Sequence, residues 1–310
     1  MTLQQAAAPL LPRCHFPPPG APVVCAVSGG ADSLALLALA VAAGCRAEAV
    51  HVDHGLRPGS HLEFAVVADA AATLDVPARS VRVEVAPGPN LEARARAARY
   101  AALPPGALTG HTADDQAETV LINLLRGAGS SGLAGMRADD RRPLLHLRRH
   151  DCRALVETLG WTPVADPSND DPRFVRNRVR HELLPLLDAI AGRDLAPVLA
   201  RQAALLRDES DLLDELARAL DPTDARALAA APPPLARRAV RRWLTDTDPE
   251  RHPPDAATVE RVLDVATGRA LGTDVGAGRQ VRRRDQLLRL EPPESSPAAR
   301  SAETFRHRLV

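Results

Sequence analysis

Short apolar runs alternate with helical patterns along the first part of the chain. Four Val- and Ala-rich runs have the length of buried strands, at residues 23–27, 46–52, 78–85 and 107–110. Apolar residues recur at helical spacing in four intervening stretches, at residues 32–43, 60–74, 91–103 and 113–125. Strands that alternate with helices of this length are typical of a parallel sheet. The pattern therefore predicts an α/β fold with a doubly wound parallel sheet.

The pattern changes in the second half of the chain. After a glycine-rich stretch at 127–135, interpreted as a mobile loop, helices are predicted over 174–187 and 195–220. A proline-rich break precedes a basic helix with Arg237, Arg238, Arg241 and Arg242, and residues 275–290 form a predicted hairpin. We predict one domain over residues 1–190 and a smaller, mainly helical one, ending in the hairpin, over 191–310.

The composition excludes several kinds of chemistry. All 39 basic residues are Arg, so a Schiff-base lysine and a Walker A lysine are excluded. The four cysteines lack the spacing of a disulfide framework or a CxxC metal site. No apolar run reaches the ~20 residues that span a bilayer, and no secretory signal is recognisable, so we expect a soluble, cytoplasmic protein without a membrane partner. Because the formal net charge is zero, a nucleic acid would have to bind to local patches.

The segment Ser28-Gly29-Gly30-Ala31-Asp32-Ser33 lies between the first predicted strand and the first predicted helix. Glycines allow the backbone to approach a ligand, and the two hydroxyls with the helix N-terminal amides would form an anion site without Lys. Asp32 beside a phosphate requires a cation such as Mg²⁺. An ordinary helix start with a Ser or Asp cap explains the same residues equally well.

Three further blocks follow in the sequence: HVDHGLR at 51–57, GHTADDQAET at 110–119, and DPSN at 166–169 ahead of RNRVR at 176–180. Together with SGGADS they resemble the N-type ATP pyrophosphatases, or PP-loop family. In order and spacing they are similar to the tRNA(Ile)-lysidine synthetases. The similarity is good over residues 22–190 and loose beyond. It implies a Rossmann-like PP-loop ATPase domain followed by a linker helix and a tRNA-binding domain.

The resemblance also implies a reaction and its partners. ATP, with Mg²⁺, would adenylate the wobble cytidine of tRNA(Ile) with a CAU anticodon, and free L-lysine would then displace AMP to give lysidine. The catalytic residues we predict are Asp32, Asp53, His111 and Arg178. ATP would contact residues 28–33, His51 and Asp53, with Asp32 as the Mg²⁺ ligand. A homodimer is left open.

Residues at the ends of the predicted strands have structural alternatives. Strand alternation places His51 and Asp53 on one side, beside the nucleotide, with Asp53 near the ribose or the metal. A metal site that adds His54 is weaker, because it divides the three residues between two faces. In the alternative, Asp53 only caps the following turn.

Asp115 and Glu118 lie three residues apart and share one helix face. Two carboxylates near a nucleotide suit a cationic substrate, and by resemblance they are the lysine-binding pair, with His111 on the phosphate side. In the alternative, these acids and Asp114 only complement the helix dipole.

Several arginines are candidate tRNA contacts. Arg176 and Arg180 share a basic stripe whose planar guanidinium groups match phosphate oxygens, although salt bridges to nearby acids explain them as well. By resemblance, Arg96 has a substrate or structural role. The remaining candidates are Arg237, Arg238, Arg241 and Arg242, which as a basic patch are otherwise ordinary solvated surface.

Two other functions remain open from the sequence. A tRNA 2-thiocytidine or thiouridine synthase would use the same activation with sulfur as the nucleophile. Such relatives usually need a CxxC cluster or a cysteine pair, whereas Cys25 lies in a predicted strand and Cys45 in a turn. A non-catalytic nucleotide-binding module on the same fold would not need the pair Asp115 and Glu118.

Overall fold

The computed structural model describes residues 1–53, 55, 63–83, 91–139, 141–165 and 167–292. The chain packs as two compact units that divide between Arg207 and Asp208. This division falls inside a long helix, Ala196–Arg218, whereas the predicted boundary near residue 190 lies at the end of the preceding helix. Among the described residues, no helix has the length and apolar character needed to cross a membrane.

A parallel sheet with the order β1-β2-β3 forms the centre of the first unit. Its strands are β1 (Pro22–Ala26), β2 (Arg46–Asp53) and β3 (Ala78–Arg82). The predicted α/β class with a parallel sheet is confirmed. The predicted fourth strand at 107–110 is wrong, because only Leu108 pairs with β1, as an isolated parallel bridge to Cys25. The described part of the predicted third strand also ends early, at Arg82, and residues 84–85 lie outside the described residues.

Thirteen α-helices occur in the described residues. The first unit contains α1 (Leu3–Ala7), α2 (Ala31–Ala42), α3 (Glu63–Thr73), α4 (Leu91–Ala102), α5 (Ala113–Leu125), α6 (Ser130–Leu133), α7 (Arg149–Thr158), α8 (Val175–Arg178) and α9 (Leu184–Ala191). The helix α10 (Ala196–Arg218) follows, and the second unit contains α11 (Ala225–Ala230), α12 (Pro233–Thr247) and α13 (Ala256–Thr267). Four of these, α1, α7, α11 and α13, are absent from the sequence-based prediction, and α6 lies within the predicted glycine-rich loop.

The helix α2 is the centre of the main core. Residues Leu34 to Ala40 are fully buried, so this helix is enclosed on all sides and shows no polar face. Cys152, Leu155 and Val156 of α7 belong to the same core cluster. Burial of each Leu contributes roughly 1.5–3 kcal/mol. This packing places the N-terminus of α7 near that of α2.

A smaller core joins α5 to the helical run formed by residues 175–191. Ala117 and Leu121 of α5 pack with Val179 and Leu184. The predicted helix at 174–187 is confirmed as helical, but it consists of α8, a π-helical turn at Val179–Leu183, and α9. Because α5 and this run share a core, polar residues at their N-terminal ends come together.

The second unit has its own core, formed by α11, α12, α13 and a small antiparallel sheet. Its strands are β4 (Gly272–Gly276), β5 (Arg279–Arg284) and β6 (Leu287–Glu291), with β5 in the centre. The predicted hairpin is therefore confirmed, with a third strand in addition.

Candidate active site

The loop between β1 and α2 has the local geometry of an anion site. The N–H of Ser28 donates to Ser33 Oγ at 3.1 Å, and Ser33 Oγ–H donates to the carbonyl of Gly30 at 2.8 Å. Gly30 is the N-cap of α2 and offers no side chain to the first-turn amides. These amides can therefore bind an anion. This geometry suits the ATP-binding role predicted for residues 28–33, which stays a prediction.

Two glycines are required by close packing around this loop. Gly29 has φ +85°, and a Cβ there would lie 2.8 Å from Val164 Cγ2. A Cβ at Gly110 would lie 2.6 Å from the carbonyl oxygen of Asp32. The segment ahead of α5 thus packs directly on the start of α2, as expected for two segments at the same edge of the sheet.

Asp32 has an incompletely satisfied carboxylate. Its Oδ1 is buried and has no hydrogen-bond partner within the described residues, and Oδ2 lies 3.5 Å from Arg149 Nε. Burial, with Asp115 nearby, raises the pKa of Asp32 to about 6. A buried carboxylate oxygen without a partner is costly, and a bound cation would satisfy it.

The donor set around Asp32 fits Mg²⁺. No group of three or more His, Cys, Asp or Glu side chains in the described ranges could hold a metal ion. Mg²⁺ in nucleotide enzymes is held by one or two carboxylates together with substrate phosphates and water. Asp32 alone, beside a phosphate loop, is consistent with that arrangement, and its assignment as Mg²⁺ ligand stays a prediction.

His51 and Asp53 lie on one side of β2, as predicted. Both are buried, and they continue the alternation of Ala47 and Ala49. His51 Nδ1 lies 3.1 Å from the carbonyl oxygen of Val27, and its Nε2 is buried without a partner among the described residues. Asp53 Oδ1 accepts from the N–H of Gly55 at 2.9 Å, which is the turn-capping role given above as its alternative. The third member of the weaker metal hypothesis, His54, lies outside the described residues.

Asp115 stabilises the start of α5 by accepting hydrogen bonds from its N-cap residue. Asp115 Oδ2 accepts from the N–H and the hydroxyl of Thr112, both at 2.9 Å. His111 Nδ1 lies 2.8 Å from Thr109 Oγ1. Burial favours a raised pKa for Asp115, but Arg149 and Arg176 outweigh it and lower the pKa below its ordinary value. Asp115 is therefore ionised and already faces cations.

Glu118 is fully buried, and three arginines donate to it. Arg149 Nη2 lies 3.0 Å and Arg180 Nε 2.7 Å from Oε1, while Arg176 Nε lies 2.8 Å from Oε2. The predicted lysine-binding pair is thus close together, but it is partnered by guanidinium groups. Its role in binding lysine stays a prediction.

Arg148 and Arg149, at the start of α7, are site residues that the sequence analysis missed. Arg148 forms two hydrogen bonds with Asp114, Nε to Oδ2 at 3.0 Å and Nη2 to Oδ1 at 2.9 Å, and it also pairs with Asp194. Arg149 reaches Asp32, Asp115 and Glu118. Cations at a helix N-terminus are unfavourable for the helix dipole. Two adjacent arginines before an apolar helical pattern were therefore a usable signal for acidic partners.

The other predicted arginines of the first unit differ in their surroundings. Arg178, which is predicted to be catalytic, has an exposed side chain that pairs with Glu182 at 2.9 Å, and its catalytic role stays a prediction. Arg176 and Arg180 pair with Asp115 and Glu118 rather than with sequence neighbours. Arg96 lies on α4, and its side chain lies outside the described part.

The basic helix of the second unit is α12, and its four arginines are not equivalent. Arg238 pairs with Asp214 at 2.6 Å, and Arg242 donates to two backbone carbonyls near the end of α10 at 3.3 and 3.5 Å. These two side chains are half-buried. Arg237 is exposed and pairs with a glutamate of α13, and Arg241 is exposed. Arg237 and Arg241 are therefore the better candidates for contacts with tRNA.

The cysteines do not form a reactive centre. Cys25, Cys45 and Cys152 are buried, and Cys14 is half-buried. Burial raises the pKa of Cys14 and of Cys25 to about 12. All four thiols are free and protonated at neutral pH.

The parallel sheet, the glycine loop at the N-terminus of α2 and the acids at the strand ends define a nucleotide-binding α/β domain of the PP-loop class. The sequence model of the PP-loop domain matches residues 5–187, and that of the TilS substrate binding domain matches residues 224–289. The tRNA(Ile)-lysidine synthase of Rhodococcus erythropolis is 48% identical over 238 residues, which are 72% of this chain and 73% of the relative. That of Nocardia farcinica is 47% identical over 249 residues, 75% of this chain and 78% of the relative. The chain belongs to the tRNA(Ile)-lysidine synthase family, which confirms the resemblance of its motifs.

A solved structure has the same fold. The U34-tRNA thiolase NcsA from Methanococcus maripaludis, with its [4Fe-4S] cluster, has a TM-score of 0.50 and 17% identity over 66% of this chain and 78% of that chain. At this identity the similarity concerns the fold alone.

Proposed function

We propose that this chain uses ATP to activate the wobble cytidine of tRNA(Ile) with a CAU anticodon and then joins free L-lysine to it. The products are lysidine, AMP and pyrophosphate. The observation that carries the proposal is the SGGADS loop, whose Asp32 has a buried carboxylate oxygen without a partner in the described residues, in a chain of the tRNA(Ile)-lysidine synthase family. We assign the reaction to the cytoplasm, where tRNA, ATP and lysine are available.

The chemistry requires two displacements. Cytidine O2 is a poor leaving group, so it first attacks the α-phosphorus of ATP and pyrophosphate leaves. The ε-amine of lysine then attacks C2, loses a proton, and expels AMP. No protein nucleophile is needed, which suits a chain without Lys and with protonated thiols.

Residues of the first unit have separate roles in this scheme. The loop amides and hydroxyls of Ser28 and Ser33 bind the β- and γ-phosphates, and Asp32 would hold Mg²⁺, which supplies positive charge to the phosphates. His51, Asp53 and His111 lie at the edge of the sheet where the nucleotide binds. Asp115 and Glu118 are the predicted lysine-binding pair, and of the two we propose that Asp115 contributes the negative charge that favours a cationic amino acid.

The second unit is proposed to bind tRNA. It contains the match to the TilS substrate binding domain, and the exposed Arg237 and Arg241 lie on its surface. Because formal net charge is zero, such local cations would provide the contacts to the phosphate backbone.

The test is a reaction of the purified protein with ATP, labelled lysine and unmodified tRNA(Ile) with a CAU anticodon. We expect label to enter this tRNA, and AMP and pyrophosphate to form in equal amounts. A methionine tRNA with the same anticodon is the control for specificity. Pyrophosphate release without lysine incorporation, but with incorporation of sulfur from an added donor, would identify a thiolation enzyme instead. Absence of pyrophosphate release would favour a non-catalytic module.

A further inference from the structure

Each oxygen of the Glu118 carboxylate accepts two hydrogen bonds from arginine side chains. Oε1 accepts from Arg149 Nη2 at 3.0 Å and Arg180 Nε at 2.7 Å, and Oε2 accepts from Arg176 Nε at 2.8 Å and Arg180 Nη2 at 3.1 Å. These charge-assisted bonds are among the strongest in proteins. Because Glu118 is also 0% exposed, the ammonium group of a substrate cannot reach it unless an arginine leaves.

The three arginines retain unused donors. Each guanidinium has five N–H groups in a planar fork. Arg149, Arg176 and Arg180 direct Nε and Nη2 at carboxylates, whereas their Nη1 atoms make no hydrogen bond in the ranges that the structure describes. The side chains of Arg149, Arg176 and Arg180 are 18%, 27% and 21% exposed, so they lie close to the surface, whereas the Glu118 carboxylate that they contact does not.

The charges in this cluster favour an anionic ligand. The three arginines pair with the carboxylates of Asp115 and Glu118. Arg149 also pairs with a third carboxylate, that of Asp32. Asp32 is the residue proposed to hold a cation. When its charge is so engaged, the three arginines exceed the two remaining acids by one positive charge. A phosphate group fits this excess, because guanidinium forks match phosphate oxygens.

We propose that Glu118 is a positioning residue that assembles Arg149, Arg176 and Arg180 into a binding site for a phosphate group of the substrates. The proposal rests on the function proposed above and deepens it. Two sources offer this group, ATP and the tRNA backbone. Lysine is then recognised without direct contact to Glu118, and Asp115, whose side chain is 13% exposed, is the less deeply buried carboxylate of the predicted pair.

The first test compares Glu118→Gln with Glu157→Gln, a matched change at an exposed glutamate of α7. Binding of a non-hydrolysable ATP analogue with Mg²⁺ is measured without tRNA, and tRNA binding is measured over a range of salt without ATP. We expect one of these two affinities to fall about 10- to 150-fold in Glu118→Gln only. A loss for the ATP analogue assigns the site to the nucleotide. A loss for tRNA with a smaller salt slope assigns it to the backbone.

The lysine dependence separates positioning from lysine binding. With residual activity, the lysine concentration at half-maximal rate should remain that of the wild type. The proposal is overturned if both phosphate ligands bind to Glu118→Gln as to the wild type, or if only the lysine dependence changes.

A second variant covers the case that Glu118→Gln does not fold. Arg149→Gln leaves Glu118 with two arginines, and Arg153→Gln, at an exposed position of the same helix, is its control. Arg149→Gln should weaken binding of a phosphate ligand, and equal binding by both variants would refute the site. The binding measurements contain no lysine, so a wild type that makes no lysidine would contradict the proposed function without deciding this one.

Discussion

Replacing Asp114 by Asn removes one negative charge where the start of α5 meets the start of α7. Asp114 accepts two hydrogen bonds from the Arg148 side chain, at 2.9 and 3.0 Å, and one from the N–H of Arg149 at 2.7 Å. The Arg148 and Asp114 side chains are only 16% and 15% exposed. The substitution therefore leaves a largely buried guanidinium without its main partner.

The expected cost follows from this burial. Removal of one partner of a buried ion pair costs about 3–5 kcal/mol, and the residual exposure places this pair near 3 kcal/mol. For a unit of this size, 1 kcal/mol changes the melting temperature by roughly 2–4 °C, so we expect a decrease of about 6–12 °C. Asp194→Asn is the matched control, because Asp194 contacts the same Arg148 but is 49% exposed. Its cost should be no more than about 1 kcal/mol.

The assay is thermal unfolding followed by circular dichroism at several pH values. Burial favours a raised pKa for Asp114, but the hydrogen bonds from Arg148 and Arg149 outweigh it and hold the pKa below its ordinary value of 3.8. The stabilisation is thus complete above pH 3.8 and is lost as the pH falls through the folded-state pKa. The wild type and Asp114→Asn should converge in acid. Equal effects of Asp114→Asn and Asp194→Asn at neutral pH would refute the reasoning.

Four further substitutions test other parts of the molecule. Asp32→Asn should lower tRNA-dependent pyrophosphate release on the order of 10²-fold while the protein stays folded, and a wild-type rate would exclude Asp32 as the metal ligand. Gly29→Ala places a Cβ 2.8 Å from Val164 Cγ2 at φ +85°, so it should weaken binding of an ATP analogue; unchanged affinity would show that the loop tolerates the change. Arg237→Gln and Arg241→Gln should each reduce the salt slope of tRNA binding by about one, and an unchanged slope would identify them as ordinary surface residues.

Local patterns in the sequence were sufficient for the elements that carry the nucleotide loop. The apolar run before Ser28 predicted β1, and the Leu- and Ala-rich run after it predicted α2, observed at Ala31–Ala42. The helix predicted at 113–125 is observed with the same bounds. The predictions for these segments are correct because the hydrophobic spacing, glycines and caps that determine them act within a few residues.

The fourth strand shows where local patterns fail. Residues 107–110 have the composition of a strand, but only two backbone hydrogen bonds join Leu108 to β1, at 2.8 and 2.9 Å. A strand exists only through its pairing, which depends on how a distant segment is held. In the small sheet of the second unit, by contrast, strands that are adjacent in the chain pair with each other, so the hairpin could be predicted from local sequence.

The charged cluster of Asp115, Glu118 and their arginine partners could be recognised almost only from the tertiary structure. Asp115 and Glu118 were recognisable as a pair, because three residues along a helix return to the same face. Their partners are far away in the chain: Arg149 lies 31 residues and Arg180 lies 62 residues from Glu118. Ion pairing over such separations leaves no periodic trace in the sequence. Helical spacing therefore identified the helix that carries the acids. The arginines that pair with these acids are brought to them by the packing of α7 and of the 175–191 helical run against α2 and α5, where burial and opposite charge hold them.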